Sequence, residues 1–306
     1  MKMKNTHNLK KTRLSKMGAL LWVLLVILFL YTVSLILPLL WGIFTSLKTQ
    51  NEFRVNILGI PEGAPWNWAW GNFVYVMQNF YVHITSAELG SVDIGIEEML
   101  LNTILYAVGG AFINTLVPCV VAYITAKFNY KFSGVIYMVV IVTMVLPVVG
   151  NTASEMQLVK ELGIYDTIWG NWIQKANFMG MYYLVFYATF KGIPKDFSEA
   201  AYVDGAGETH VMIRIIFPLV MNIFGTVMLI KFISFWNDYQ TPLLFLPSYP
   251  TLAYGIYTLS RSSDNDLNTV PMRMAACVLM VIPIVIIFAI FKEKLMSNIS
   301  MGGVKE

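Results

Sequence analysis

The stretch EAAYVDGAGETHVMIRIIFP, Glu199 to Pro218, is polar, carries two glycines and lies between long apolar runs. Its residue order predicts a small capped helix. Pro194 ends or redirects the helix before it. Asp196 suits an N-cap, and Glu199 follows three residues later, in capping-box spacing. Phe197, Ala200, Ala201 and Val203 give the helix an apolar side. Gly205 fits the left-handed position just past a helix end, Gly207 permits a second bend, and Thr209 is placed to cap the next helix. Pro218 sits near the start of the following apolar run, where a kink is expected. The expectation is a two-turn helix about 12 Å long. Nothing in its own chain is required to cover the apolar side, and such a patch beside charges suits a protein partner.

Everything around this stretch is greasy. Of 306 residues, 57% are hydrophobic and 13% charged, against about 25% charged in a soluble domain, and the mean hydropathy is +0.63. These values predict an integral membrane protein. A net charge of +3 gives no general attraction to nucleic acid. Cys119 and Cys277 lie in apolar runs without metal-ligand spacing and read as packing residues. Residues 1–16 hold six basic side chains and no acidic one, and the following 31 residues, Met17 to Leu47, are uncharged. A signal-peptide core is only about 7–15 residues long, so 17–47 reads as a retained first transmembrane helix after a basic cytoplasmic N-terminus.

Candidate spans, at about 20 apolar residues each, are 18–45, 99–126, 133–154, 169–190, 215–236 and 274–291. The fourth is the weakest. Ala176 to Phe190 is short, and span length requires Lys175 near the outer end, snorkelling to the interface beside Trp169 and Trp172. Six spans with both termini cytoplasmic place 14 Lys/Arg inside and six outside, as the positive-inside rule demands. The polar helix then lies in a cytoplasmic loop, 191–214. Residues 48–98 form an extracytoplasmic loop, rich in Gly, Pro and Trp around GIPEGAPWNWAWGNF, and GNFVYVMQNFY reads as a short amphipathic helix. The mildly acidic run SAELGSVDIGIEEM reads as a lead into the second span. A five-helix core, 99–292, and a tail, 293–306, complete the chain.

The spacing of Glu199, Ala200, Ala201, Gly205, Ile215, Phe217 and Pro218 resembles the EAA loop of bacterial ABC importer permeases, with Phe217 where that family usually has Leu. NTILYAVGGAFINTLVPCVVAYITAKFNYKF, FISFWNDYQTPLLFL and MSNISMGGVKE are similar to segments of its maltose-type carbohydrate branch. The likeness implies an all-α, type I ABC importer permease fold with six transmembrane helices in the bacterial cytoplasmic membrane. It implies a coupling helix seated in a separate cytoplasmic ATPase dimer, with Glu199, Ala200, Ala201, Asp204, Gly205, Ile215 and Pro218 at the contact. It further implies a second homologous permease subunit and an extracytoplasmic solute-binding protein facing loops such as 240–272. The cofactors implied are ATP and Mg in the partner. This chain has no G-x-x-x-x-G-K-[ST] loop, so it reads as a permease subunit rather than an enzyme.

Candidates for the translocation path are few. Lys231 is the one charge well inside a span, and helical spacing puts it on a face with Ser234, Phe235 and Asp238. That face either lines a watery cavity or lets Lys231 snorkel outward. Trp236 and Tyr239 read more readily as an interfacial belt than as a sugar-stacking surface. Asn114 with Thr115, and Tyr183 with Tyr187, serve either substrate contact or bonding between helices. Pro118, Pro147 and Pro283 mark kinks, and Ala107, Gly110, Ala111 and Gly180 mark close helix approach. The competing class is an ion-coupled secondary transporter, which would favour acidic or His groups deep in the spans. No acidic residue lies there, and His7, His83 and His210 fall outside them. An intramembrane protease would need a motif such as H-E-x-x-H, which is absent.

Overall fold

A computed structural model of the chain describes residues 19–86, 90–128, 130–146, 150–261 and 266–301. The basic segment 1–16, the last residues 302–306 and Pro147 lie outside the described residues. The chain folds as two compact units, one of residues 1–74 with 269–278 and one of 75–268 with 279–306.

In the first unit, helix α1 (Ala19–Ser46) exposes Leu20, Trp22, Leu28, Phe29 and Leu39 by about half or more. Such a surface suits lipid and not water. Beyond α1 the loop is tied by polar groups. The fully buried Lys48 donates from Nζ to the Asn56 carbonyl at 2.6 Å. Asn72 Nδ2 donates to the carbonyls of Ser46 and Lys48, both at 2.8 Å, and Trp41 Nε1 donates to Ile57 O at 2.9 Å. Thr49 and Glu52 form a capping box that opens α2 (Gln50–Val55). Its T-x-x-E signature is plain in the sequence.

Helix α3 (Gly71–Asn79) matches the expected amphipathic segment and buries Val76. The next residues depart from an all-α fold. Strands β1 (Tyr81–Ser86) and β2 (Gly90–Gly95) pair antiparallel, with His83 opposite Asp93. Val82, Ile84 and Ile94 are buried on one side. On the other, His83 Nδ1 lies 2.7 Å from Asp93 Oδ1 and its Nε2 lies 2.6 Å from Ser91 Oγ. Within the acidic run Gly90–Gly95 is a strand, and Ile96 to Met99 open the next helix, so the run leads into that helix by way of a hairpin.

Helix α4 (Ile96–Lys127) is the centre of the second unit. At about 1.5 Å per residue it is long enough to cross the bilayer with turns to spare, and it continues through Pro118. Two expected spans are shorter than the sequence suggests. Helix α5 (Ser133–Val145) has 13 residues, and the chain resumes as α6 (Thr152–Glu161), so 133–154 is not one helix. The fourth span is broken into α7 (Ile168–Gln174) and α8 (Met181–Gly192), joined by non-helical backbone from Lys175 to Gly180. Then come α9 (Asp196–Val203) and α10 (Glu208–Val211), followed by a π turn (Met212–Ile216) leading into α11 (Phe217–Trp236). The short α12 (Gln240–Phe245) and α13 (Leu252–Arg261) precede α14 (Val270–Met301), which runs through Pro283. Among the described residues, four stretches are long and apolar enough to cross a membrane: 20–46, 96–127, 208–236 and 270–287.

Helix α4 packs against α7, α8 and α11. The core at one end gathers Cys119, Ala122, Tyr123, Phe186, Phe190, Ile216, Val220 and Phe224. Close approach requires small residues. A Cβ at Gly109 would fall inside the Trp172 indole, and one at Gly110 would touch the Phe235 ring at 3.5 Å. Trp172 is pinned there by its Nε1, which donates to Leu105 O at 3.2 Å.

Candidate functional site

Two groups of predicted residues come into view, one at each end of the α4–α11 pair. The first is α9 with its bends. Asp196 is the first helical residue and not the cap. Lys195 holds the cap position without a side-chain bond, and Glu199 makes no capping box. The other end follows the sequence closely. Gly205 has φ +82°, its N–H donates to Tyr202 O at 3.0 Å, and the Ala206 N–H donates to Ala201 O at 2.9 Å. These two bonds form a Schellman cap, in which a left-handed glycine satisfies the last carbonyls. Gly207, and not Thr209, holds the N-cap position of α10.

Helix α9 buries one residue of its apolar side and leaves the rest bare. Ala201 is 7% exposed and belongs to the buried cluster with Tyr123, Val211 and Ile216. That burial holds α9 against α10 and the π turn and corrects the expectation that the chain covers none of its apolar side. Phe197, Ala200 and Val203 form an exposed row that winds from beside Ala201 to the far side of the helix, with Val203 at 88%. Glu199, Asp204 and Pro218 are exposed too, and Ile215 is half-buried.

The two bends are bridged by Tyr202, whose phenol donates to Glu208 Oε2 at 2.6 Å. The carboxylate holds the Tyr202 proton, pushing its pKa up from 10.0 to about 12. A phenol raised in this way stabilises the folded form fully below pH 10, and that contribution is lost as the pH climbs to about 12. Difference titration of tyrosinate absorbance between the wild type and Tyr202→Phe should therefore show one group with a midpoint near 12. A midpoint near 10 would refute the bridge.

At the start of α11, Pro218 has no N–H to offer the preceding turn. The ladder answers with a π turn, in which Phe217 N–H bonds to Met212 O. Such bulges recur beside prolines and at functional positions.

The second group surrounds the far end of α11. The helix stops at Trp236, so Asp238 lies beyond it and does not share a helical face with Lys231. Tyr106 Oη donates to Asp238 Oδ2 at 2.7 Å, and the Thr241 N–H donates to Oδ1 at 3.0 Å. Lys175 Nζ donates to Thr241 Oγ1 at 3.3 Å and stands 6.0 Å from the Phe235 ring centre. Asn114 Nδ2 donates to the Lys175 carbonyl at 2.7 Å. Phe235 meets Tyr106 edge to face at 5.6 Å. Lys231 and Ser234 stand apart from this network. Lys231 Nζ lies 4.8 Å above the Tyr182 ring, and Ser234 is exposed.

Other candidates are placed differently. Tyr183 is fully buried, with its hydroxyl 2.8 Å from Thr125 Oγ1. Tyr187 stacks on it at 6.0 Å and receives a hydrogen bond from Lys191 Nζ at 3.3 Å. Trp236 is 1% exposed and donates to Met280 O at 3.2 Å, so it is a core residue and not part of a belt. Tyr239 is exposed and stacks on Tyr257 at 4.4 Å. Tyr106, Thr241 and Tyr182 escape a sequence reading because their partners are distant in the chain. Lys175 is visible there, but only as a snorkelling charge.

A family model described as binding-protein-dependent transport system inner membrane component matches residues 118–300. The chain belongs to this family. The match takes in α9, the π turn, α11 and the Lys175–Asp238 region. Among its relatives, this inner membrane component is 24% identical over 281 residues to the diacetylchitobiose uptake system permease protein of Streptomyces coelicolor, covering 90% of this chain and 86% of that one. It is 24% identical to a probable starch degradation products transport system permease protein of Thermoanaerobacterium thermosulfurigenes, covering 89% and 95%. A solved bacterial ABC transporter involved in import of the acidic polysaccharide alginate shares the fold. The TM-score is 0.71 at 19% identity, over 89% of this chain and 94% of that one. The sequence resemblance to carbohydrate ABC importer permeases is thus borne out.

Proposed function

We propose that this chain is the transmembrane permease subunit of an ABC importer that carries a sugar or oligosaccharide across the bacterial cytoplasmic membrane by alternating access. The observation that carries the coupling half of this reading is the bare row Phe197, Ala200 and Val203 on a helix that is clamped into the core through the neighbouring Ala201. An apolar row exposed to water is unfavourable alone and favourable once covered. A partner gripping that row pulls on a capped, stiff element rather than on slack chain, and the pull reaches the foot of α11 through the π turn.

In this reading the partner is a cytoplasmic ATPase dimer that supplies ATP and Mg, with Glu199 adding charge-assisted hydrogen bonds at the rim. The site residues are those of the loop: Glu199, Ala200, Asp204, Gly205, Ile215 and Pro218, with Ala201 as the inner anchor. A second homologous permease subunit completes the path, and a solute-binding protein delivers cargo from outside. Six crossings with both termini inside complete the topology. An ion-coupled transporter is not favoured, since the matching family model and the relatives are components of binding-protein-dependent and uptake-system permeases.

A single-cysteine variant, Val203→Cys, on a background lacking Cys119 and Cys277, tests both orientation and docking. A membrane-impermeant maleimide should label it in inverted membrane vesicles and not in intact cells. The co-expressed ATPase should protect it by at least about tenfold. Labelling of intact cells would overturn the topology, and labelling indifferent to the ATPase would overturn the coupling surface.

A further inference from the structure

Among the described residues, the buried and half-buried lysines have acceptors, with one exception. Lys48 donates to Asn56 O at 2.6 Å, Lys127 to Ile193 O at 2.7 Å and Lys175 to Thr241 Oγ1 at 3.3 Å. Lys231, half-buried on α11, has neither a hydrogen-bond acceptor nor a carboxylate partner among the described residues. An ammonium carries three donors. The Tyr182 ring face, 4.8 Å away, attracts the charge but accepts little hydrogen bonding. Lys175 adds a second positive charge within electrostatic range. The nearby Asp238 does not neutralise both, and each of its oxygens already accepts a bond. The open side of α11 at this level also carries the exposed hydroxyl of Ser234, one turn on. The place therefore has surplus positive charge, free donors and an aromatic face.

We propose that Lys231, with Tyr182 and Ser234, receives the acidic group of a negatively charged sugar, a uronate carboxylate, as it passes. This rests on the importer reading above and names its substrate class. A carboxylate supplies the acceptors that Lys231 lacks, and a charged hydrogen bond in a partly dry site is worth more than one in water. A phospholipid headgroup offers similar acceptors, and the comparison of the two sugars in the Lys231→Met variant separates it from a uronate.

The test uses cells carrying the complete importer and two radiolabelled trisaccharides of equal length, one of neutral hexoses and one of uronates. Membrane levels of each variant are checked by immunoblot. Uptake of the uronate trisaccharide is expected, falling more than about tenfold in Lys231→Met and staying within about threefold in Lys231→Arg, as the loss of a charged hydrogen bond implies. Uptake of the neutral trisaccharide alone overturns the proposal and leaves the importer reading standing. Equal loss of both sugars in Lys231→Met assigns Lys231 to lipid or packing and overturns it as well. Entry of neither sugar removes the sugar-importer reading and the proposal together.

Discussion

Gly205→Val abolishes sugar uptake while the protein still reaches the membrane. Gly205 stands at φ +82° with nothing within 4 Å of where a Cβ would lie, so crowding by neighbours is not the cause. The cause is the backbone. A β-branched residue in the left-handed region costs about 1–3 kcal/mol, and the local escape is to abandon that conformation. The Gly205 and Ala206 N–H groups then lose Tyr202 O and Ala201 O. The last turn of α9 frays, and its row of Phe197, Ala200 and Val203 loses its fixed aim. The membrane helices are untouched, so insertion persists. Gly205→Asn, which tolerates left-handed backbone, retains uptake within about threefold. Parallel uptake assays and immunoblots of membranes check both variants. Wild-type uptake by Gly205→Val would remove α9 from the coupling path.

The second large effect concerns stability. Asp238→Ala lowers the stability of the purified complex by about 2–4 kcal/mol. It leaves the Tyr106 hydroxyl, on a residue 1% exposed, and the Thr241 N–H without their acceptor. It also strips Lys175 of the nearby carboxylate. Tyr106→Phe removes one donor and costs about 1.5–3 kcal/mol, the usual range for a hydrogen bond to a charged group. The double variant costs less than the sum of the two, because the shared bond is counted once. Thermal unfolding in detergent of the four proteins gives the cycle. Strict additivity would show that the bond between α4 and the loop after α11 contributes nothing.

Where the sequence was readable, one physical quantity dominated. Helices α1, α4, α11 and α14 contain long apolar runs, and bilayer thickness alone picks them out. The third and fourth spans misled because hydropathy counts apolar residues and is blind to where the backbone stops. Asn177 and Gly180 interrupt the fourth at the join between α7 and α8. The β-hairpin was present in the alternation of YVHITS, with Val82 and Ile84 on one face, but the acidic residues after it masked the pattern. In the candidate site, the Gly205 cap was legible because Schellman caps have a local signature. The end of α9 at Asp196 was misjudged by one residue, a common slip at helix termini. The Tyr106–Asp238–Thr241–Lys175 network was invisible, since its members come from three separate stretches and no periodicity links them.

The surplus residue in the Met212–Ile216 turn sets the phase of everything beyond it. One residue of α-helix advances about 1.5 Å and swings about 100° around the axis. Removing the extra residue to make that turn an ordinary one would rotate Phe224, Phe235 and Lys231 by roughly a quarter-turn relative to α9. The compass bearing of these side chains is therefore written at the foot of α11, in a register offset beside Pro218, several turns away from the atoms it orients.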